Sequence, residues 1–187
     1  MPYPVTDEDF KKIVAVYRLS VPSAGVVVST REPAELREEV LQIGASQISA
    51  GSKTEPGGYS DRVRGQGSGV RAEEQFSTND HRTMEEMILA IAKNGLLPSL
   101  CTTCYRIGRT GRVFTNKTLA GDMDKICQVN AILTLQEYIL DHAKNGVGEI
   151  GKAVIEKGIE EIKEKKLKAD VLKKLGEIKA GKRDVYV

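Results

Sequence analysis

The sequence predicts an α/β chain: residues 1–100 form part of a larger α/β barrel, with a small open α/β sheet as the alternative on pattern alone, and residues 101–187 form a mainly helical segment. Three observations predict it. A strand, a helix and a second strand fit inside about 25 residues near the N-terminus, a spacing that demands a crossover between parallel strands. A third strand signal follows a further helix, and three parallel strands alone would leave edges and a face uncovered, so they belong to something larger. Beyond Cys101 the hydrophobic repeat is helical almost to the end.

Taken in order, Thr6 with Asp9 three residues on forms a capping-box pattern, and Phe10, Ile13, Val14 and Tyr17 follow at helical spacing until Pro22. The β-branched run at 25–30 predicts a strand. Pro33 then marks a helix start, Leu36, Val40 and Leu41 its buried stripe, and Gly44 its end. Residues 45–49 predict the second strand, so ligands of a parallel sheet would meet Ser29-Thr30-Arg31-Glu32 and Ser49-Ala50-Gly51-Ser52 at the strands' C-terminal ends. Between 51 and 77 periodicity vanishes and glycines gather, which predicts a long loop. Thr83 and Glu86 open the next helix, Asn94-Gly95 closes it, and 96–100 predicts a third strand ending at Cys101. Leu133, Ile139 and Leu140 mark one later amphipathic stretch, and 147–179 repeats Ile, Leu and Val among Lys and Glu.

Composition narrows the functional classes. Of 187 residues, 28 are Lys or Arg and 26 are Asp or Glu, and a formal charge of +2 argues against a dedicated nucleic-acid binder. The stretch 147–187 has 11 Lys+Arg and 8 Asp+Glu, a mixed solvated surface rather than a basic tail. No apolar run is long enough to span a membrane, and acidic Asp7, Glu8 and Asp9 stand where a secretory leader would be apolar. Three cysteines cannot close a disulfide framework, which predicts metal or redox chemistry in the reducing cytoplasm. With three Phe, six Tyr and no Trp, aliphatic side chains must fill the core.

The strongest chemical signal is Cys101-Thr102-Thr103-Cys104, with Cys127 after 22 intervening residues. Cys-x-x-Cys on a turn brings two thiolates to one metal or cluster edge, and folding must supply the third. The residues alone leave three readings open. Zinc would need a fourth ligand, for which His142 is the downstream candidate; three thiolates would suit a cubane with one open iron; or the thiols are simply buried or redox-active. Arg106, Arg109 and Arg112 follow the first pair and could face an anion. Arg31 at a strand end could grip a carboxylate through two parallel hydrogen bonds, or pair with Glu32 or Glu35. Gly57-Gly58-Tyr59 lacks the Gly-Lys-Ser/Thr ending of a phosphate loop, and His81 and His142 fit capping or solvent-facing roles.

The run Cys-Thr-Thr-Cys-Tyr-Arg-x-Gly-Arg-Thr-Gly at 101–111, Cys127 and Asn130-Ala131 resemble the C-terminal part of the radical-SAM tyrosine lyases that mature [FeFe]-hydrogenase. Val28-Ser29-Thr30-Arg31-Glu32, Gln47-Ile48-Ser49-Ala50-Gly51-Ser52 and Gly57-Gly58-Tyr59 resemble segments these enzymes share with the thiamine-pathway 2-iminoacetate synthases, and Arg183-Asp184-Val185-Tyr186-Val187 resembles the maturase ending. The resemblance implies the end of a (β/α)8 TIM-type radical-SAM barrel followed by an auxiliary-cluster extension. It implies tyrosine cleavage to p-cresol and dehydroglycine, and conversion of the latter to carbon monoxide and cyanide. Cys101, Cys104 and Cys127 would hold an auxiliary [4Fe-4S] cluster with a possible extra iron, and Ser29, Thr30 and Arg31 would line the substrate end, Arg31 taking the amino-acid carboxylate.

The radical-SAM Cys-x3-Cys-x2-Cys motif is absent, as are the earlier barrel strands. S-adenosylmethionine, a second [4Fe-4S] cluster and tyrosine are therefore expected only in the complete enzyme, with this chain inactive alone. Its expected partners are hydrogenase maturation factors and a chain carrying the missing barrel half, with no nucleic acid and no membrane. The alternative is a stand-alone zinc- or cluster-binding scaffold, or a split subunit that completes another chain's barrel.

Overall fold

The computed structural model describes residues 3–55, 76–144 and 146–187, so Gly57-Gly58-Tyr59 lies outside the described residues. The chain divides into two compact units, Met1–Met84 and Glu85–Val187.

In the first unit, helix α1 (Asp7–Ser20) starts as its capping box predicts: the Asp9 N–H donates to Thr6 Oγ1 at 3.1 Å, and the Thr6 hydroxyl donates to Asp9 Oδ2 at 2.8 Å. Strand β1 (Val27–Val28), helix α2 (Ala34–Ile43) and strand β2 (Gln47–Ile48) follow as the expected crossover. The strands are parallel, with Val27 opposite Gln47 and Val28 opposite Ile48. Val14, Val28, Leu36, Val40 and Ala45 form the apolar core. Arg18 of α1 closes the far end of α2 by donating Nε and Nη2 to the Gly44 carbonyl at 2.9 and 2.7 Å. A Cβ on Gly44 would stand 2.9 Å from Arg18 Cγ, so the turn needs glycine for this approach.

The strands are shorter than expected, and the expected third strand does not form. Residues 96–100 have no strand structure, because Pro98 offers no N–H to a ladder and Leu97 and Leu100 turn instead onto the helical core of the second unit. Among the described residues the sheet therefore has two strands, and the chain is mostly helical rather than a visible section of barrel.

The second unit holds α3 (Met84–Lys93), α4 (Thr103–Arg106), α5 (Gly111–Leu119), α6 (Asp122–Asp141), α7 (Val147–Glu160) and α8 (Lys165–Lys179). Its axis is α6, which buries Val129, Ile132, Leu133 and Leu135 among Ile88, Val147, Ile155, Val171, Leu175 and Ile178. Two glycines of α7 bring it close: a Cβ on Gly151 would meet Ile139 Cδ1 at 2.7 Å, and one on Gly158 would meet Ile132 Cδ1 at 3.3 Å. The C-terminal tail is fastened to α6, where Asn130 accepts from the Val187 N–H at 2.9 Å and Glu137 accepts from the Val185 N–H at 2.9 Å. No described helix is long and apolar enough to cross a membrane.

Candidate functional site

Cys101 precedes α4 and Cys104 lies on it. The Thr103 N–H donates to Cys101 Sγ at 3.5 Å, and the Cys101 thiol donates to the Thr103 hydroxyl at 3.3 Å, so the turn already directs one backbone donor at sulfur. After α4 the chain reverses at Gly108, whose φ of 69° favours a residue without Cβ. The Arg109 N–H then donates to the Cys104 carbonyl at 2.8 Å, which ties Arg109 back to the cysteine turn. Cys127 reaches the same neighbourhood from α6. Partial desolvation pushes the Cys127 thiol up, Cys104 and Cys101 push it further, and Asp124 adds to them, while Arg109 opposes the rise. The three thiols, all free, thus lie in one another's electrostatic field.

Among the described residues no three His, Cys, Asp or Glu side chains are already set at metal-ligand positions. Neutral thiols have no reason to converge, since it is metal binding that removes their protons and draws thiolates together. The donor set nonetheless fits a thiophilic, anionic centre. It offers three sulfurs, and in the turn that follows Cys104 the Arg109 Nη1 is buried without a hydrogen-bond partner.

The zinc set with His142 is overturned. Helix α6 runs unbroken from Asp122 to Asp141, and His142 caps its far end. At 1.5 Å per residue, Cys127 and His142 are about 22 Å apart along the axis. His142 instead faces the Tyr138 ring at 5.6 Å, in a cavity of about 240 Å³ that Thr102, Arg106, Asp184 and Tyr186 also line. Arg106 is engaged there by Asp184 at 2.6 Å and lies over Tyr186. Arg112 is exposed on α5. His81 is exposed beside Thr78.

At the strand ends, Ser29 Oγ accepts from the Arg31 N–H at 3.4 Å. Thr30 is 2% exposed, and its carbonyl accepts from Asn79 and Asp80 N–H groups at 2.8 and 3.1 Å. Arg31 places its guanidinium 3.8 Å over the Phe76 ring rather than on Glu32 or Glu35.

Sequence reasoning missed the ionic group beneath these residues. Arg37, fully buried, donates to Asp80 and to the Ser49 carbonyl, and Arg82 bridges Asp80 at 2.6 Å to Glu38. Burial would raise the Asp80 carboxyl, but hydrogen bonds from Arg82 and the Arg37 charge outweigh it and hold it at about 2. The sequence did carry a signal, because Arg37 stands three and four residues before Val40 and Leu41 on the apolar stripe of α2. A cation there requires a buried anion.

The parallel crossover with its polar strand ends belongs to a defined class: residues 1–97 match the Biotin and Thiamin Synthesis associated domain, and the chain belongs to that family. The same region is 34% identical over 98 residues to 2-iminoacetate synthase of Escherichia coli (strain K12), and 35% identical over 98 residues to that of Salmonella typhimurium (strain LT2). Each alignment covers 52% of this chain and 24% of the relative, so the match spans about a quarter of the curated relatives' length. The particular likeness is to HydG. A crystal structure of HydG, a maturase of the [FeFe]-hydrogenase, superimposes on all of this chain with a TM-score of 0.89 and 40% identity, the chain covering 39% of it. HydG from Carboxydothermus hydrogenoformans matches 92% of the chain with a TM-score of 0.63 and 29% identity, the chain covering 34% of it. The expected likeness to the C-terminal part of this maturase thus extends over the full chain.

Proposed function

We propose that the chain is the auxiliary-cluster portion of a radical-SAM tyrosine lyase that makes the carbon monoxide and cyanide ligands of [FeFe]-hydrogenase. One observation supports the reading: in a chain similar to HydG throughout, Cys127 lies in the electrostatic field of the Cys101–Cys104 pair 23 residues before it. Cys101, Cys104 and Cys127 would hold a [4Fe-4S] cluster. When bound, such a cluster supplies an open iron position, because three thiolates serve only three of its irons.

The chain's own residues do the rest. Thr103 aims its N–H at a ligand sulfur, Gly108 turns Arg109 back towards the pair, and α6 fixes Cys127 in a rigid frame. Ser29, Thr30 and Arg31 would stand at the substrate end of the complete barrel, with the buried Arg37–Asp80 pair positioning the segment behind them. Arg31, freed from Phe76, would take the carboxylate of tyrosine, and buried Thr30 would act through its backbone.

The group that starts radical chemistry does not fit here. All three cysteines are assigned, and no Cys-x3-Cys-x2-Cys set remains to hold a second cluster with S-adenosylmethionine. Tyrosine cleavage to p-cresol and dehydroglycine therefore belongs to the complete enzyme, with this chain inactive alone. A chain bearing the missing barrel half and hydrogenase maturation factors would be its partners in the reducing cytoplasm, where free thiols persist.

Anaerobic reconstitution with iron and sulfide, followed by metal analysis and EPR of the reduced protein, tests the assignment. About four irons per chain, lost in Cys127→Ala, is the expected result. Zinc without iron, undisturbed by Cys127→Ala, would overturn it.

A further inference from the structure

We infer that residues 183–187 are a latch for the cysteine turn: Arg106 and Asp184 are its positioning pair, and through them the segment holds Cys101 and Cys104 against α6, the helix that carries Cys127. The inference rests on the cluster reading above and gives a role to a segment that reading leaves without one.

The cysteine turn has little to hold it in place by itself. Helix α4 is four residues long, and a single helical turn is unstable alone. Of its residues only Thr103 is buried, Tyr105 is 79% exposed, and α5 beyond it buries no side chain.

Residues 183–187 supply support from α6. Arg183 grips Asp141 through two bonds of 2.6 Å, and the Val185 N–H donates to Glu137 at 2.9 Å. Buried Asn130 accepts from the Val187 N–H at 2.9 Å and donates to the Val187 carbonyl at 3.3 Å. Positions 130, 137 and 141 share one face of α6, and Asn130 stands within one turn of Cys127. The alternate side chains of the segment reach α4: Asp184 pairs with Arg106 at 2.6 Å, and the Arg106 guanidinium lies 5.4 Å from the centre of the Tyr186 ring. Thr102 and Thr103 of the cysteine turn line the same cavity as Asp184 and Tyr186. Asp184 itself has a φ of 63°, in the left-handed region, which a residue with a Cβ occupies at a cost that surrounding bonds must offset. The strained residue is the one that carries the ion pair. Because that pair is partly exposed, its effect is local rather than global.

Hydrogen exchange of the full chain, with wild type, Arg106→Gln, Asp184→Asn and Arg106→Lys, tests the latch, followed by the rate at which each reconstituted protein yields iron to a chelator. Asn tolerates positive φ, so Asp184→Asn removes the charge and keeps the backbone. Arg106→Gln and Asp184→Asn change the net charge in opposite directions, so a shift that both share comes from the broken pair. Both are expected to lower protection at 101–109 by about fivefold, the upper range for an ion pair this exposed, and to quicken iron release alike. Peptides of α6, α7 and α8 should be unchanged. Arg106→Lys should stay close to wild type, because the charge and the ring contact remain. Protection at 101–109 equal to wild type, a loss that spreads equally over α6 to α8, or iron release that is unchanged or moves in opposite directions in the two variants would overturn the inference. A wild-type chain that takes up no iron would instead overturn the cluster reading, and the exchange at 101–109 would still decide whether the latch exists.

Discussion

In the first unit a buried arginine and aspartate sit beside a small aliphatic cluster of Val14, Val28, Leu36, Val40 and Ala45, whereas in the second α6 is wrapped almost entirely in Ile, Leu and Val. Each arrangement suits what it carries. The first must present polar backbone at two short strand ends; Arg37 fixes the end of β2 by donating to the Ser49 carbonyl, and Arg82 donates to the Ala34 carbonyl at the start of α2. The second must hold a cysteine at a set place on a helix, and close packing along twenty residues of α6 does so with its ion pairs, such as Asp141 with Arg183, kept at the partly exposed surface.

The difference can be broken deliberately, and hydrogen exchange read peptide by peptide resolves the units. The largest effect is expected from Asp80→Ala, which leaves Arg37 charged and buried without its anion and should destabilise α1 and α2 by about 3–5 kcal/mol. Peptides of α6, α7 and α8 should keep their protection. Ile132→Ala reverses the pattern: it removes a fully buried side chain from α6 and should cost the helical core about 2–5 kcal/mol, leaving α2 unaffected.

Acid sharpens the contrast without mutation. The folded Asp80 carboxyl lies at about 2, below its ordinary 3.8, so its contribution is fully present above pH ~4 and is lost as pH falls through 2. Protection of α1 and α2 should fall by on the order of 2 kcal/mol over that window. The smallest effect is expected from Thr6→Ala, which removes the cap of α1 and should cost about 1 kcal/mol, visible as fraying at Asp7 to Phe10.

How far the sequence could be read follows the same division. Local chemistry was legible: Thr6 and Asp9 mark the start of α1, the 25–49 spacing marks the parallel crossover, and Asn94-Gly95 closes α3 with Gly95 at φ 74°. The cysteine pattern and the ending at 183–187 pointed to the maturase likeness. Less was legible where the outcome depends on distant partners. Residues 96–100 have strand-like composition, but Pro98 and the pull of Leu97 and Leu100 towards the helical core prevail. His142 looked like a fourth ligand only while the continuity of α6 was unknown. The partner of Arg37 was not legible, because Asp80 lies beyond the long glycine-rich stretch.

That stretch enters and leaves the first unit through neighbouring points. The Gly51 N–H donates to the Arg82 carbonyl at 2.9 Å, and the Thr54 hydroxyl donates to the Phe76 carbonyl at 2.8 Å. With its ends pinned together, the cost of closing the intervening chain grows only as the logarithm of its length, about 0.6 kcal/mol for each doubling. The first unit is therefore clasped at this point, and residues 51–54 and 76–82 stay side by side whatever the length of chain that joins them.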